Sequence, residues 1–146
     1  MDAESISRGI QLAVAPVFML TAVASLIGAL ATRLSRIIDR ARSLEERLDA
    51  GSIAKPDTAL QEISRLKLRG RVVNAAVGLL TLSAVLIGAT VMALFLGETS
   101  ATHIERMVPW SFLGGLVCFV LALLCFLTET LLATHTLKFA KHPPPA

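Results

Sequence analysis

A single carboxylate inside an apolar segment is the residue of this chain best suited to chemistry. Glu129 is the only charged residue between residues 110 and 132, and it lies close to the end of that run. A charge within a membrane-spanning helix is costly unless it is paired, which makes such a residue a functional candidate by default. We expect Glu129 to face the other helices, where it either locks them together through an arginine or handles protons or ions.

Two groups of polar residues are candidate sites, and only the first surrounds this glutamate. The first is an intramembrane polar cluster at one level of the helices, in which one of three arginines pairs with the glutamate; it comprises Glu129, Asn74, Thr32, Arg33, Arg36 and Arg71. The second lines one side of the segment after the first apolar run and comprises Arg36, Arg40 and Arg47. Basic side chains beside a membrane attract anionic headgroups, so this second set predicts a surface for lipid or for a partner protein.

The cysteines and histidines give weaker signals. Cys118 and Cys125 share one helix face but lie about 10 Å apart along the axis, which is too far for a disulfide, so we expect packing residues. His135 and His142 lack a nearby carboxylate or cysteine to complete a metal or haem site. There is no nucleophile beside a base, no pair of carboxylates and no cofactor fingerprint. The sequence therefore predicts no catalytic residue, no metal, no cofactor and no enzymatic activity.

Three apolar runs must position these residues, and they extend over residues 9–32, 72–96 and 110–132. A helix rises about 1.5 Å per residue, so each run can cross a hydrocarbon core of about 30 Å. A helix on the surface of a soluble protein would keep one polar face, which these runs lack. We predict an all-α membrane protein with three transmembrane helices, forming a single domain over residues 1–146.

The segment between the first two runs, residues 33–71, predicts an antiparallel helical hairpin. Its first helix carries an apolar seam at alternating spacings of three and four, which comprises Leu34, Ile37, Ala41, Leu44 and Leu48. Gly51 is placed to end that helix. We expect a capping box at Thr58 and Gln61 to start the return helix, whose apolar residues are Leu60, Ile63 and Leu66.

The remaining segments are short. Residues 97–107 predict a polar loop, and Pro109 suits the start of the third helix. Residues 141–146 are rich in proline and predict a disordered tail.

The distribution of basic residues predicts the orientation. Ten of the fourteen lysines and arginines lie between the first two runs and two follow the third, which leaves two on the opposite side. The positive-inside rule therefore predicts that the N-terminus is outside and that the hairpin and the C-terminus are cytoplasmic. The net charge of +3 then reflects topology and contact with anionic lipid, and we expect no nucleic-acid partner.

Small and polar residues on one face of each run predict how the helices pack, because such residues mark helix interfaces in membranes. The third run has Ser111, Gly115, Cys118, Ala122, Cys125 and Glu129. The second has Gly70, Asn74, Gly78, Thr81, Ala84 and Gly88, and the first has Thr21, Ser25, Gly28, Thr32 and Ser35. We expect these three faces to meet in a bundle.

Two segments carry a family resemblance. The sequence IQLAVAPVFMLT of residues 10–21 is followed by RLSRIIDRAR at residues 33–42, and FLTE lies near the end of the third run at residues 126–129. Together they resemble a bacterial family of small three-span membrane proteins known only as a domain of unknown function. The resemblance implies a bacterial inner-membrane protein and brings no activity or ligand.

Two functions fit these patterns. The first is a structural or interaction subunit of a membrane assembly, whose partners are membrane lipids and either copies of itself or another membrane protein. The alternative is a small oligomeric ion or proton pathway that uses Glu129. The small-residue faces consist largely of Gly, Ala and Cys, which favours packing over permeation.

Overall fold

Three long α-helices make up the computed structural model, which describes residues 3–53, 55–97 and 104–138. The helices are α1 (Ala3–Asp49), α2 (Pro56–Gly97) and α3 (Ile104–Lys138). Each contains a stretch long and apolar enough to cross a membrane, and the described residues form no strand. The all-α class is therefore confirmed, and the three apolar helices are consistent with a multi-pass membrane protein.

Large apolar side chains are exposed on all three helices. Phe18 of α1, Met92 of α2 and Leu124 of α3 are each more than half exposed. A soluble monomer rarely exposes contiguous apolar surface on this scale, because such surface drives association in water. A bilayer provides the apolar surroundings that these side chains require.

A glycine ends α1, as the sequence predicts. Gly51 has a φ of 64°, in the left-handed region that side chains with a Cβ disfavour. Its N–H donates to the carbonyl of Leu48 over 3.1 Å, and the N–H of Ser52 donates to the carbonyl of Arg47 over 3.1 Å. This pair of hydrogen bonds is a Schellman motif, and it satisfies carbonyls that the helix end would otherwise leave without partners.

The starts of the other two helices differ from the predictions. α2 begins at Pro56, so Thr58 lies within its first turn and is not the cap. Proline suits the first helical position because its missing N–H has no partner there in any case. α3 begins at Ile104, inside the predicted loop, and Pro109 lies within the helix. One internal hydrogen bond is lost at Pro109, yet the helix continues.

Several predictions fall outside the described residues. These are the remainder of the predicted loop at residues 98–103 and the predicted disordered tail at residues 141–146, which includes His142.

The chain divides into two compact units. One comprises Ala29–Val77 and Leu123–Ala146, and it contains the helical hairpin. The predicted seam of α1 is confirmed, since Ile37 and Leu44 are buried and the seam's other residues are half-buried. On α2, the side chain of Leu60, which was predicted to pack in the hairpin, is half exposed, and its neighbour Ala59 is buried instead. The assignment of residues 1–146 to a single domain stays a prediction.

The other unit comprises Met1–Gly28 and Gly78–Ala122. Two hydrogen bonds join α2 to α3 within it. The buried Ser83 hydroxyl donates to the carbonyl oxygen of Gly115 over 2.8 Å, and the Thr90 and Ser111 hydroxyls lie 2.8 Å apart. Hydroxyl groups commonly join helices in this way within membranes.

The predicted small-residue faces are correct for α3 and wrong for the other two helices. Gly115, Ala122 and Glu129 of α3 are buried. The predicted face of α1 is exposed throughout, and that of α2 is exposed or half-buried. Bulky residues occupy the buried positions of α1 and α2 instead, among them Val23, Leu30, Val73, Leu80 and Ile87. Close approach needs a small residue on only one of two facing helices, so bulky residues on one helix fit against glycine and alanine on the other.

Candidate functional site

Glu129 is the centre of the site, and each helix contributes one residue to it. The glutamate is 1% exposed. Its Oε2 accepts a hydrogen bond from Arg33 Nη1 of α1 over 2.7 Å, and its Oε1 accepts one from Arg69 Nη2 of α2 over 2.7 Å. Both distances are typical of strong charge-assisted hydrogen bonds. Both oxygens of this buried carboxylate are therefore bound by guanidinium groups from the other two helices.

Arg33 makes two further contacts with α3. Its Nη1 donates to Thr130 Oγ1 over 3.3 Å, and its guanidinium carbon lies 4.9 Å from the centre of the Phe126 ring. A guanidinium within about 6 Å of a ring centroid is attracted to the negative face of the ring. Glutamate, threonine and phenylalanine thus fix the position of an arginine whose side chain remains 42% exposed.

Arg69 is the more enclosed of the two arginines, with 23% of its side chain exposed. Its Nε is buried and has no hydrogen-bond partner among the described residues. An unsatisfied buried donor costs about 1–3 kcal/mol. The described residues leave this one donor of the guanidinium without an acceptor.

A cavity of about 370 Å³ adjoins the glutamate. It is lined by Arg33, Arg36, Ile37, Arg40, Leu66, Arg69 and Glu129. Arg40 pairs with a residue that does not line the cavity, since its Nε and Nη2 donate to Glu62 Oε1 over 3.2 and 3.1 Å. Arg36 is exposed and makes no hydrogen bond or ion pair with the described residues. The cavity therefore keeps an excess of positive charge.

The structure brings together only part of the predicted intramembrane cluster. Arg33 contacts Glu129, and Arg36 lines the adjoining cavity. Arg71 and Asn74 are exposed and line a different cavity of about 470 Å³, and Thr32 is exposed as well. Of the three arginines proposed as the partner of the glutamate, Arg33 is the one that pairs with it, and Arg69 is a second partner that the sequence did not predict.

The helical register of α2 contains the signal that would have identified Arg69. Arg69 lies three residues after Leu66 and four before Val73, and both of these are buried. Residues at such spacings share one helix face. The small-residue face used for the prediction instead selected Asn74, and Arg71 was chosen for its level along the helix; both residues are exposed.

The remaining candidates are dispersed. The second predicted set divides, since Arg36 and Arg40 line the cavity whereas Arg47 is exposed in the last turn of α1. Cys118 and Cys125 are half-buried free thiols. The side chain of His135 lies outside the part of the chain that the structure describes, and the described residues contain no group of three or more side chains that could hold a metal ion.

The chemistry open to this site follows from its charges. A buried carboxylate held by two guanidinium groups links three helices, and removing the carboxylate would leave both arginines without their shared counter-charge. Such a triad stabilises an arrangement of helices without any reaction taking place. The excess of guanidinium groups beside it can bind an anion.

Comparison with known proteins places the whole of this site within one family. A family model described as a protein of unknown function, DUF2721, matches residues 13–139, which include all three helices' contributions to the site. No curated protein and no solved structure matches the chain. The match covers most of the sequence and confirms the resemblance to a family of unknown function. The chain belongs to DUF2721, a family of proteins of unknown function.

Proposed function

We propose that this protein is a non-enzymatic structural or interaction subunit of an assembly in the bacterial inner membrane. Its N-terminus lies outside, and residues 33–71 and the C-terminus lie in the cytoplasm. Twelve of the fourteen basic residues lie on the side assigned to the cytoplasm, which supports this orientation.

The paired Glu129 is the observation that carries this proposal. Its two oxygens are each bound over 2.7 Å by an arginine from a different helix. Each oxygen of the carboxylate therefore already accepts a charge-assisted hydrogen bond from another helix. The arrangement therefore suits a fixed junction of three helices better than a group that repeatedly exchanges protons.

Exposed small residues on α1 support an association with a second copy or with another membrane protein. Thr21 and Ser25 are exposed, and each hydroxyl donates to a carbonyl of its own helix, so neither polar group is left unsatisfied in lipid. Together with the exposed Gly28 they form a surface on which another helix can approach closely.

Cysteine labelling tests the orientation. In a chain carrying Cys118→Ala and Cys125→Ala, Ser52→Cys places a thiol in the exposed turn after α1. We expect an impermeant maleimide to label it only after the inner membrane is permeabilised. Ser7→Cys, exposed near the start of α1, is the matched control and is expected to react from the outside. Labelling of Ser52→Cys in cells with an intact inner membrane would contradict the proposal.

Crosslinking tests the assembly. We expect a lysine-reactive or photoactivated crosslinker, applied to native membranes, to join the protein to a second copy or to one recurrent membrane protein. Mass spectrometry of the crosslinked peptides identifies which of these it is. A protein that is recovered only as an uncrosslinked monomer, under conditions that crosslink a known membrane dimer, argues against the proposal.

A proton or ion pathway is the second candidate, because a buried carboxylate within an apolar helix is typical of such pathways. Glu129→Gln separates the two functions. A structural junction predicts a loss of about 2–4 kcal/mol in stability and no change in liposome proton flux, because two arginines lose their counter-charge. A pathway predicts a normally folded variant that loses a pH-dependent flux shown by the parent. Glu62→Gln, an exposed carboxylate on the hairpin, is the control.

A further inference from the structure

We infer that the cavity beside Glu129 is a binding site for a phosphate group, supplied either by the headgroup of an anionic phospholipid or by free phosphate. This inference rests on the proposed function only in that Arg33 and Arg69 are held in place by the glutamate. It adds a ligand and a binding site to what is otherwise a junction of helices.

The charges of the lining carry the first step of the argument. Four guanidinium groups and one carboxylate line the cavity, and the carboxylate is 1% exposed. Its two oxygens are bound by Arg33 and Arg69, so its negative charge is compensated within the protein. Glu62 compensates Arg40. Arg36 is exposed, lines the cavity and remains without a counter-charge among the described residues.

The shape of the arginine side chain specifies the ligand. A guanidinium group presents a planar fork of N–H donors that matches two oxygens of a phosphate, and its charge attracts the anion. Several such forks around one cavity are typical of phosphate recognition. Ile37 and Leu66 add an apolar wall, which suits the glycerol and upper acyl portions of a lipid. The volume of about 370 Å³ is sufficient for a headgroup.

The position of the cavity along the chain favours a lipid source. Arg33 directly follows the apolar run of residues 9–32, and Arg69 lies three residues before the run of residues 72–96. The cavity thus lies where the apolar helices pass into the polar hairpin. In a bilayer this level holds the headgroup phosphates of the leaflet, and anionic lipids give that surface its negative potential.

The test uses the full chain purified in an uncharged detergent. Thermal unfolding is followed by far-UV circular dichroism while soluble short-chain phosphatidylglycerol, short-chain phosphatidylcholine or inorganic phosphate is titrated at constant ionic strength. Arg36→Gln removes the uncompensated guanidinium. Arg65→Gln removes the same charge from an exposed position of the hairpin that does not line the cavity, and it is the matched control.

We expect phosphatidylglycerol to raise the unfolding midpoint of the parent saturably, with phosphatidylcholine much weaker because its choline offsets the phosphate charge. Arg36→Gln should weaken the apparent affinity about tenfold, the loss of roughly one charge-assisted hydrogen bond, whereas Arg65→Gln should match the parent. Arg36→Lys retains the charge without the fork and should fall between the parent and Arg36→Gln.

The outcomes separate the two sources of phosphate and define failure. Stabilisation by phosphatidylglycerol but not by inorganic phosphate identifies a lipid site. If inorganic phosphate also stabilises the protein, and Arg36→Gln weakens both ligands equally, the site accepts free phosphate as well. Equal losses in Arg36→Gln and Arg65→Gln, or equal effects of the two lipids, overturn the inference. Full stability of Glu129→Gln with undiminished phosphatidylglycerol binding would refute the glutamate junction and leave the phosphate site standing.

Discussion

The Ser83 hydroxyl donates a hydrogen bond to the carbonyl oxygen of Gly115 over 2.8 Å, at a point where α2 and α3 approach closely. A Cβ added to Gly115 would lie 2.9 Å from Cγ1 of Ile87 and 3.4 Å from the carbonyl oxygen of Ser83. The same glycine therefore permits both the hydrogen bond and the close packing of Ile87, which is fully buried.

Gly115→Ala is expected to destabilise the protein by about 1–3 kcal/mol, because the added Cβ would force the fully buried Ile87 side chain or the helix backbone to shift. Thermal unfolding in detergent measures the effect. Gly88→Ala is the matched control, since an added Cβ there meets nothing within 4 Å, and it should be neutral or stabilising by up to about 1 kcal/mol. Equal destabilisation by both substitutions would mean that α2 and α3 do not approach at Gly115.

Ser83→Ala should cost about 0.5–1.5 kcal/mol, the usual net value of one interhelical hydrogen bond. Chemical unfolding in mixed detergent provides the measurement. Ser25→Ala serves as the control, because the Ser25 hydroxyl is exposed and bonds only the carbonyl of Thr21 in its own helix. A loss in Ser25→Ala as large as that in Ser83→Ala would show that the buried bond contributes nothing specific.

Phe126→Leu is expected to destabilise the protein by about 0.5–1 kcal/mol beyond the change in packing, because Arg33 loses the ring beneath its guanidinium. A double-mutant cycle with Arg33→Gln isolates this contribution. The additional cost of Phe126→Leu should disappear once Arg33 is replaced. A cost that is unchanged in the Arg33→Gln background would assign the whole effect to packing.

Ile63→Ala should destabilise the hairpin by about 2–4 kcal/mol, because Ile63 is buried and its removal leaves a cavity. Leu60→Ala removes a similar side chain from a position that is 50% exposed and should change stability by less than about 1 kcal/mol. Proteolysis in the turn reports opening of the hairpin. If protease cleaved Leu60→Ala faster than Ile63→Ala, α2 would pack through Leu60 and not through Ile63, in contradiction to the structure.

The ion pairs of the hairpin should contribute much less than its apolar seam. Both partners of the Lys67–Glu45 pair are about half exposed, and their nitrogen and oxygen lie 3.1 Å apart. Exposed pairs typically contribute about 0.2–1 kcal/mol and weaken in salt. Glu45→Gln is therefore expected to have a small effect that vanishes at high ionic strength. A large effect that is independent of salt would contradict this assignment.

Features that depend on local sequence could be predicted well. The length of the apolar runs predicted the three helices, the spacing of Ile37 and Leu44 predicted the hairpin seam, and Gly51 predicted the end of α1. Each of these is determined by the chain's own periodicity or by the conformational preference of one residue.

Features that depend on contact between helices were predicted less well. The sequence identified Glu129 and named Arg33 among its three possible partners, but it named Arg71 from α2 and missed Arg69. Two residues along a helix correspond to about 200° of rotation, so the choice of buried face decides which arginine meets the glutamate. That choice failed on α1 and α2 because small residues were assumed to mark the interface on every helix, whereas only α3 supplies them.

The spacing of the paired residues along the chain sets an order for the chain's assembly. Arg40 and Glu62 are 22 residues apart, whereas Glu129 is 60 residues from Arg69 and 96 from Arg33. Short-range contacts close first, and synthesis delivers the chain from its N-terminus, so the hairpin is complete before Glu129 has been made. Until then Arg33 and Arg69 have no shared carboxylate. The pairing that joins the three helices therefore also distinguishes a finished chain from one that stopped short of its third helix.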